Sequence, residues 1–421
     1  MKVSNNEEVA YGFDFGTSNS SIAVMGPDRI PELIPCGGSG VEASVLFFPG
    51  PTPNELHVGK KALDEYLAAG RRGRFMQSLK SLLPYKSFTG TNLYGTWFDA
   101  QEIVALILQH LKREADQAIG KNVNRVVLGR PVVFSEDEDE DRLAHKRLEE
   151  AAHLAGFEQI SFQYEPIAAA FSYERRLAQE ELVMVADLGA GTCDFTLIRL
   201  QPRARERSRE ILGNAGVHVG GNDFDAAIMW NKLVPYFGYG AKYDAWGKWL
   251  DLPHSLFRNL CRWEWMAFLR EGRVREDLDL FMRRSDSPER IARLITLVDE
   301  DLGFGLFKAI ERAKMGLTVK KEVPLDFNEA GLVIRELISR PQFAEWIAAE
   351  TAAVERCVLG LLEASGVQAL QIDSVFLTGG SSKVPAIRGV FEKAFGEEKI
   401  RGGETFTSVA LGLALLSEEV L

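Results

Sequence analysis

The sequence has few cysteines, and their spacing matches no common metal-binding or disulfide motif. Its four cysteines are Cys36, Cys193, Cys261 and Cys357, which lie far apart and form no Cys-x-x-Cys pair. This spacing indicates neither a zinc site nor a disulfide framework. We therefore expect four buried, reduced thiols.

The sequence also lacks long apolar runs and an excess of basic residues. No run reaches the roughly 18 apolar residues that a transmembrane helix requires. The N-terminal residues MKVSNNEEVAYGF are polar and lack the apolar stretch of a signal peptide. The net charge of −11 is opposite to that of a general nucleic-acid-binding surface, which needs a basic face. We therefore expect a cytoplasmic protein that binds neither membranes nor nucleic acids.

The apolar patterning that is present predicts an α/β fold. A chain of 421 residues is long enough for two to four domains of about 100–200 residues each. Strand-like segments occur at 9–15, 20–25, 125–130, 183–188, 194–200 and 373–378. Helical periodicity occurs at 101–119, 139–155, 166–179, 222–236, 304–317, 343–365 and 385–396. Because hairpins and strand–helix crossovers both occur, we expect mixed sheets.

Two unusual stretches are assigned to structure rather than to function. Residues 230–290 hold five of the seven tryptophans and indicate a separate helical lobe with an aromatic core; a partner-binding surface is the less favoured alternative. The acidic run at 135–141 resembles a metal site, but Ser135 and Glu138 have the spacing of a capping box at a helix start. We therefore expect a helix start there and not a metal site.

Two other stretches repeat one pattern, an apolar strand ending in Asp-x-Gly and then a second apolar strand. Residues 11–24 (YGFDFGTSNSSIAV) and 183–198 (VMVADLGAGTCDFTLI) align Asp14 with Asp187 and Gly16 with Gly189. Small turn residues let backbone N–H groups converge on an anion, and Mg²⁺ is held by one or two carboxylates plus phosphates. One such hairpin alone could equally be an ordinary glycine-rich turn. Their repetition predicts two related halves that hold a nucleotide and its metal.

A third glycine-rich segment, VFLTGGSSKVP at 375–385, would by itself be a plain strand-to-helix turn. Together the three segments resemble the ATPase domain of the seventy-kilodalton heat-shock chaperones (Hsp70), in the actin and sugar-kinase superfamily. The stretch from RPVVF to YEPIAAAFSY, the stretch HVGGNDFDAAI and the stretch ERAKMGLT resemble further segments of the same domain. The resemblance implies an α/β, actin-like ATPase fold: two ribonuclease H-like lobes, each split into two subdomains, around a nucleotide cleft.

The resemblance also implies domain boundaries. Residues 1–45, 122–180 and 404–421 would form the base of the first lobe, and residues 46–121 its tip. Residues 181–226 and 318–403 would form the base of the second lobe, and the tryptophan-rich helical segment 227–317 its tip.

Roles for single residues follow from the same resemblance. Asp14 and Asp187 would hold Mg²⁺ through water, and the catalytic residues would be Lys80, Glu165, Asp194 and Thr192. Lys80 would stabilise charge on the γ-phosphate, and Glu165 would position the attacking water or couple the lobes. Asp194 would assist the water or the metal shell, and Thr192 would orient a phosphate or a water. Phosphate contacts would come from Gly16, Thr17, Ser18, Asn19, Ala190, Gly191 and Thr192. The rest of the nucleotide would contact Gly220, Gly221, Glu311, Lys314, Thr318, Gly379, Gly380, Ser381, Ser382 and Lys383.

Several of these assignments have simpler alternatives. Lys80 could be a surface lysine, Glu165 a helix-starting acid, and Glu311 with Lys314 a solvated ion pair on one helix face. The chain also departs from the family pattern, because Ala190 replaces a glycine, and Met315 and Lys383 replace arginines that sandwich adenine in many members.

The chain ends shortly after TFTSVALGLALLSEEV, which resembles the last segment of the ATPase domain. We therefore expect no built-in peptide-binding domain, a layout that resembles the YegD-like branch of bacterial chaperone relatives. The expected protein is a monomer that binds ATP or ADP with Mg²⁺, hydrolyses ATP slowly, and controls an unidentified protein partner or co-chaperone by lobe closure. One alternative is a non-hydrolysing nucleotide-binding scaffold or co-chaperone, which Ala190 favours. Others are a sugar-type small-molecule kinase and an actin-like filament former.

Overall fold

The structure is a computed structural model that describes residues 9–70, 72–174, 177–201, 210–270, 272–402 and 407–420. Residue contacts divide the chain into two compact units. Unit 1 comprises Met1–Gly220, Ala352–Lys383 and Ile387–Leu421, and unit 2 comprises Gly221–Thr351 and Val384–Ala386. The division into four subdomains at the boundaries given above stays a prediction.

The strands are numbered along the described part of the chain. They are β1 Tyr11–Phe15, β2 Asn19–Met25, β3 Pro31–Leu33, β4 Glu42–Ala43, β5 Val45–Phe48, β6 His57–Val58, β7 Arg74–Gln77, β8 Gly90–Leu93, β9 Thr96–Asp99, β10 Arg125–Arg130, β11 Gln159–Tyr164, β12 Glu181–Leu188, β13 Cys193–Leu200, β14 Glu210–Val217, β15 Lys242–Ala245, β16 Lys248–Asp251, β17 Glu322–Glu329, β18 Leu332–Ser339, β19 Ser374–Thr378 and β20 Ile400–Gly402.

The α-helices are numbered in the same way. They are α1 Gly59–Ala68, α2 Ala100–Ile119, α3 Glu138–Leu154, α4 Glu165–Glu174, α5 Gly221–Ile228, α6 His254–Leu260, α7 Gly272–Arg284, α8 Pro288–Asp299, α9 Gly303–Val319, α10 Arg340–Trp346, α11 Ala348–Ala364, α12 Pro385–Phe395 and α13 Ser408–Val420. A π-helix, Met229–Leu233, and short 3-10 helices, among them Leu79–Leu82 and Trp263–Arg270, complete the helical structure.

Two sheets of unit 1 repeat one strand arrangement. The first has the order β11-β10-β1-β2-β3, with β4 also paired to β2, and the second has the order β14-β13-β12-β19-β20. In both, three strands consecutive in the chain are antiparallel neighbours, and two later strands join in parallel. This repeat confirms the predicted α/β class with mixed sheets and the two related halves.

The first sheet is covered on both faces. Tyr11, Phe13 and Phe15 are fully buried in a core that includes side chains of α2 and α3. Alternate residues of a strand point to the opposite face, and there Gly12 lies against α13. A Cβ at Gly12 would overlap the backbone of Ala410 and Ala414. Glycine is therefore required at this position, because α13 lies directly on β1.

The second sheet packs in the same way. One face contacts α4, whose Ile167 and Phe171 share a buried cluster with Val183, Val185 and other apolar side chains. On the other face the ring of Phe195 lies 6.2 Å from that of Phe391 on α12. Both sheets therefore lie between helices. Because both faces are covered by apolar packing, polar side chains are expected at the ends of the strands.

Unit 2 consists of helices and two β-hairpins, β15–β16 and β17–β18. The prediction that its tryptophans form a core is wrong for two of them, because Trp246 is 90% and Trp249 56% exposed on the β15–β16 hairpin. The hairpin packs on α7 through Tyr243, whose ring lies 4.7 Å from that of Phe281. Among the described residues, no helix has the length and apolar character needed to cross a bilayer.

The acidic run at 135–141 does begin a helix, but the predicted cap is wrong. Asp137 is the N-cap of α3, and its carboxylate accepts the backbone N–H groups of Asp139 and Glu140. Ser135 instead donates its hydroxyl to Glu140 at 2.9 Å. Aspartate is as good an N-cap as serine. The capping-box spacing of Ser135 and Glu138 therefore does not decide which of Ser135 and Asp137 caps the helix. All four cysteines are reduced thiols; Cys36, Cys193 and Cys261 are buried as expected, whereas Cys357 is half-buried.

Candidate active site

The repeated sheets place Asp14 and Asp187 at equivalent positions. Each is the next-to-last residue of the first strand of its sheet, β1 or β12. Across the antiparallel neighbour, Asp14 lies opposite Ser21 and Asp187 lies opposite Asp194. The second hairpin therefore carries an additional carboxylate that the first lacks.

Lys80 and Glu165 form a buried ion pair. Lys80 lies in the 3-10 helix Leu79–Leu82, and its Nζ donates a hydrogen bond to Glu165 Oε1 at 2.5 Å. The two side chains are only 7% and 9% exposed, so Lys80 is not a surface lysine. Ser78, which precedes this turn, has a left-handed backbone (φ 59°). Such conformations are costly for a residue other than glycine and concentrate at functional sites.

Burial and like charge raise the pKa values of the surrounding carboxyls. Burial is the main cause for Asp14, whose pKa lies well above its usual value, and the charge of Glu165 adds to it. Burial and then Glu165 raise the pKa of Asp187 to about 7 and that of Asp194 to about 8. A side-chain hydrogen bond from Thr192 partly opposes the rise in the Asp194 pKa, and so does the Val132 N–H, which donates to Asp194 Oδ1 at 2.6 Å.

Lys80 is the cation of this cluster. Burial lowers its pKa, but the charges of Glu165, Asp14 and Asp194 outweigh burial and raise it above the usual value. The side chain therefore stays an ammonium at neutral pH. Because the pKa values of Asp14, Asp187 and Asp194 are raised, these carboxyls keep their protons to a higher pH than usual, and a bound cation would favour the ionised carboxylates instead.

The carboxylates of Asp14 and Asp187 have the donor chemistry that a water-mediated Mg²⁺ site needs. Among the described residues, no group of three or more His, Cys, Asp or Glu side chains is arranged to hold a metal ion. Mg²⁺ keeps several of its waters and is bound through one or two carboxylates plus phosphates. Asp14 and Asp187 supply such carboxylates, and their role as the predicted Mg²⁺ ligands stays a prediction.

The two glycine-rich turns converge beside Lys80. A Cβ at Gly191 would lie 3.2 Å from Thr17 Oγ1 of the first turn and 3.2 Å from Ser81 Oγ. Two hydroxyls therefore flank the backbone of Gly191, and one of them belongs to the residue that follows Lys80. Ser81 is a candidate that the sequence analysis missed, since its only signal there is that it follows Lys80.

The remaining residues of the first turn lie between β1 and β2. A Cβ at Gly16 would collide with the backbone of Asn19, which begins β2. The carbonyl of Ser18 accepts the N–H of Ser44 at 2.9 Å, and the Ser18 side chain is exposed. This turn is therefore held by its backbone, which leaves its side chains available to a ligand.

Other predicted residues of unit 1 pack against the second turn. A Cβ at Gly220 would overlap the backbone of Ala190. Gly379 has a left-handed backbone (φ 79°) and lies against the backbone of Leu188. The Ser381 hydroxyl donates to the Gly189 carbonyl at 2.8 Å. The third glycine segment thus supports the turn that carries Thr192 and Asp194.

The other predicted residues of that segment and of the second turn make local contacts or are exposed. The Ser382 hydroxyl donates to the Gly379 carbonyl at 2.7 Å. Gly380 and Lys383 are exposed. Within the second turn, the Gly189 N–H donates to the Thr192 carbonyl at 2.9 Å.

Four predicted nucleotide residues lie in unit 2. Lys314 Nζ contacts the Gly221 carbonyl at 3.0 Å and Asp225 Oδ2 at 2.8 Å. Glu311 pairs with Lys308 at 2.6 Å, so the alternative of a Glu311–Lys314 ion pair is wrong. The Thr318 hydroxyl donates to a carbonyl of its own helix, at 2.7 Å. That these residues bind the nucleoside stays a prediction.

Comparisons of the sequence with known proteins find matches in one family. A family model described as Hsp70 protein matches residues 10–246 and 300–421. The chain is 27% identical to the chaperone protein DnaK of Thermosipho africanus, over 98% of this chain and 59% of that protein. It is 26% identical to the DnaK proteins of Thermus thermophilus and Thermotoga maritima, over 96% and 98% of this chain and 60% of each relative. The chain thus spans about three-fifths of the length of these relatives.

The matched ranges include both Asp-x-Gly hairpins, the Lys80–Glu165 pair and the third glycine segment. The fold class is accordingly the actin-like ATPase fold of this family. Because its model matches well over half of the residues, the chain belongs to the Hsp70 family, and this membership implies that it binds ATP or ADP.

Proposed function

We propose that this chain is a chaperone-type ATPase that binds ATP with Mg²⁺ and hydrolyses it slowly. Membership of the Hsp70 family supports the chaperone-type ATPase. The observation that carries the proposal is the buried Lys80–Glu165 pair amid three further carboxyls, beside two facing glycine-rich turns. A buried cluster with strongly shifted pKa values is a common mark of a functional site.

Lys80 would stabilise the transferring phosphoryl group. Phosphoryl transfer depends mainly on positioning and on positive charge around the γ-phosphate. The ammonium is already desolvated and is held at one place by Glu165, so little reorganisation is needed when the phosphate arrives. Ser81 and Thr17, whose hydroxyls flank Gly191, would donate hydrogen bonds to the same phosphate oxygens.

The carboxyl groups would divide into two roles. Asp14 and Asp187 would hold Mg²⁺ through water, and the bound ion would neutralise charge on the β- and γ-phosphates. Asp194 is oriented by the Val132 N–H and would, together with Glu165 and Thr192, orient the attacking water.

Nucleotide binding would control a protein partner. Closure of two lobes around a ligand is a common switching mode, and the nucleoside would contact Glu311, Lys314 and Thr318 together with residues 379–383. We expect a cytoplasmic monomer whose partner or co-chaperone is another protein. The chain spans about three-fifths of the length of the DnaK relative from Thermosipho africanus, and a chaperone-type activity of this chain is accordingly proposed.

The test compares Lys80→Ala with Lys86→Ala. Lys86 lies in the same basic stretch but is 54% exposed and pairs with Asp137 and Asp139 near the start of α3. We expect Lys80→Ala to lower steady-state ATP hydrolysis by about 100-fold or more while ATP still binds by calorimetry. Lys86→Ala should match wild type. If both variants hydrolyse ATP at the wild-type rate, the role given to Lys80 is wrong.

A non-hydrolysing scaffold is the second candidate, and the packing of Ala190 favours it. The Ala190 backbone is held against Gly220, so its methyl group cannot easily move away from a bound phosphate. Binding of ATP without hydrolysis above background would support the scaffold. ATP consumption that requires an added sugar would instead support a small-molecule kinase.

A further inference from the structure

The turn that follows Lys80 has little structure of its own. The 3-10 helix Leu79–Leu82 is four residues long, and hydrogen bonds in such short helices are poorly aligned. The Leu83 N–H donates to the Lys80 carbonyl at 3.3 Å. The Tyr85 N–H donates to the Leu82 carbonyl, also at 3.3 Å. Both distances are longer than those of most protein hydrogen bonds, so the turn needs support from elsewhere in the fold.

Arg147 of α3 supplies this support. Its Nη1 atom donates to the Leu83 carbonyl at 2.8 Å and to the Tyr85 carbonyl at 3.1 Å. Leu83 is thus held on both sides, by Lys80 through its N–H and by Arg147 through its carbonyl. Leu83 and Leu148, which follows Arg147 on α3, are buried in one apolar cluster. The turn is therefore fixed to α3 by a shared core and by one guanidinium.

The burial of this guanidinium is unusual. Arg147 is 7% exposed, and arginines are almost never buried so far unless they are paired. Burial lowers the pKa of Arg147 in spite of the charges of Glu150 and Asp99, but an arginine stays protonated in proteins. Its charge strengthens the two hydrogen bonds to the carbonyls. A buried arginine that donates to two carbonyls of one turn serves to fix that turn.

We propose that Arg147 is a positioning residue of the ATPase site. By holding the turn that follows them, it fixes the backbone of Lys80 and Ser81. Glu165 fixes only the end of the Lys80 side chain. This inference rests on the proposed role of Lys80 at the transferring phosphoryl group. Because charge lowers the barrier most where it is already in place, a mobile turn slows hydrolysis even though Lys80 stays buried.

Three substitutions of Arg147 separate its donor groups from its bulk. Arg147→Met keeps an apolar stem and loses the donors. Both contacts come from the single atom Nη1, so the ammonium of Arg147→Lys can donate to both carbonyls after a small shift. The amide of Arg147→Gln is too short to reach both, but it can be hydrated, which keeps the test valid if Arg147→Met does not fold.

The expected effect is on kcat for ATP hydrolysis. It should fall about tenfold or more in Arg147→Met and Arg147→Gln, because misplacement of a charged group costs rate. Arg147→Lys should recover kcat to within about threefold of wild type. The KM for ATP should stay within about threefold of wild type in all three variants, because an interaction made in the transition state affects kcat.

Arg142→Met on the same helix is the matched control. Arg142 is 67% exposed and pairs with Glu138 and Asp139, so this variant should keep the wild-type kcat. Backbone amide exchange, followed by mass spectrometry, should be about tenfold faster over residues 80–88 in Arg147→Met and unchanged over α13. A loss of stability alone would instead raise exchange throughout the sheets and leave the kcat of the folded protein unchanged.

The proposal is overturned if Arg147→Met and Arg147→Gln, shown to be folded by circular dichroism, keep the kcat of Arg142→Met. It is also overturned if exchange over residues 80–88 does not rise. Wild-type protein that does not hydrolyse ATP would overturn the proposed function, and the positioning role with it. Normal wild-type turnover that the Arg147 variants leave unchanged would overturn the positioning role alone, so the two failures are distinguishable.

Discussion

Replacing Asp194 by asparagine should stabilise the nucleotide-free protein and abolish turnover. Asp194 is 1% exposed, and its Oδ1 accepts the Val132 N–H. An asparagine oxygen can keep that hydrogen bond while the charge is removed. The change therefore isolates the electrostatic cost of the buried carboxylate from its structural contact.

The size of the effect follows from the pKa of Asp194. Burial and the charges of Glu165 and Asp187 raise this pKa from 3.8 to about 8. Between these two values the folded state binds a proton that the unfolded state has lost, so the free energy of unfolding falls as pH rises, by about 1.4 kcal/mol per pH unit. From pH 6 to pH 8 the wild-type protein should lose about 2–3 kcal/mol at this residue. The asparagine variant should not lose it.

Urea unfolding at pH 6 and pH 8.5, without nucleotide, measures this difference directly. The stability advantage of Asp194→Asn over wild type should grow by about 2 kcal/mol between the two pH values. Asp251→Asn, at an exposed position on β16, is the control and should show no such growth. If the advantage of Asp194→Asn is the same at both pH values, or if the variant is less stable at pH 8.5, the electrostatic reasoning is refuted.

Three further substitutions test other contacts. Gly12→Ala should lower the free energy of unfolding by about 3 kcal/mol in urea titrations, because its methyl would enter the backbone of α13; a wild-type value would contradict the close packing. Ser81→Ala should raise the KM for ATP about tenfold, since its hydroxyl lies beside Gly191, and an unchanged KM would remove Ser81 from the site. Ala190→Gly should raise kcat by roughly threefold in steady-state assays if the methyl crowds a phosphate, and a lower kcat would show that it does not.

Strands and helix starts that depend on neighbouring residues in the sequence could be predicted. The strands around Asp14, Asp187 and Asp194 were placed to within about two residues, because a run of apolar residues that ends at Asp-x-Gly fits few other structures. The helix that begins at Pro385 could be predicted because proline is favoured at the first position of a helix. These local signals sufficed to pair the two hairpins and to name the carboxylates.

The features that depend on tertiary contacts could not be predicted. Nothing around Lys80 indicates that its side chain is buried against Glu165, 85 residues further along the chain. The partner of Glu311 is Lys308 and not Lys314, because Lys314 is drawn to Asp225. Trp246 and Trp249 were expected in a core, yet they lie on a hairpin that packs through Tyr243. Composition cannot distinguish a buried tryptophan from an exposed one when the hairpin itself is not recognised.

Single-turnover hydrolysis tests the central claim most directly. Protein in excess over radiolabelled ATP and Mg²⁺ is sampled over time, and bound ATP, ADP and released phosphate are separated and counted. We predict a slow single-exponential conversion of bound ATP into ADP and phosphate, which disappears in Lys80→Ala although ATP remains bound. ATP that stays intact on the wild-type protein, or conversion at an equal rate in Lys80→Ala, would contradict the account.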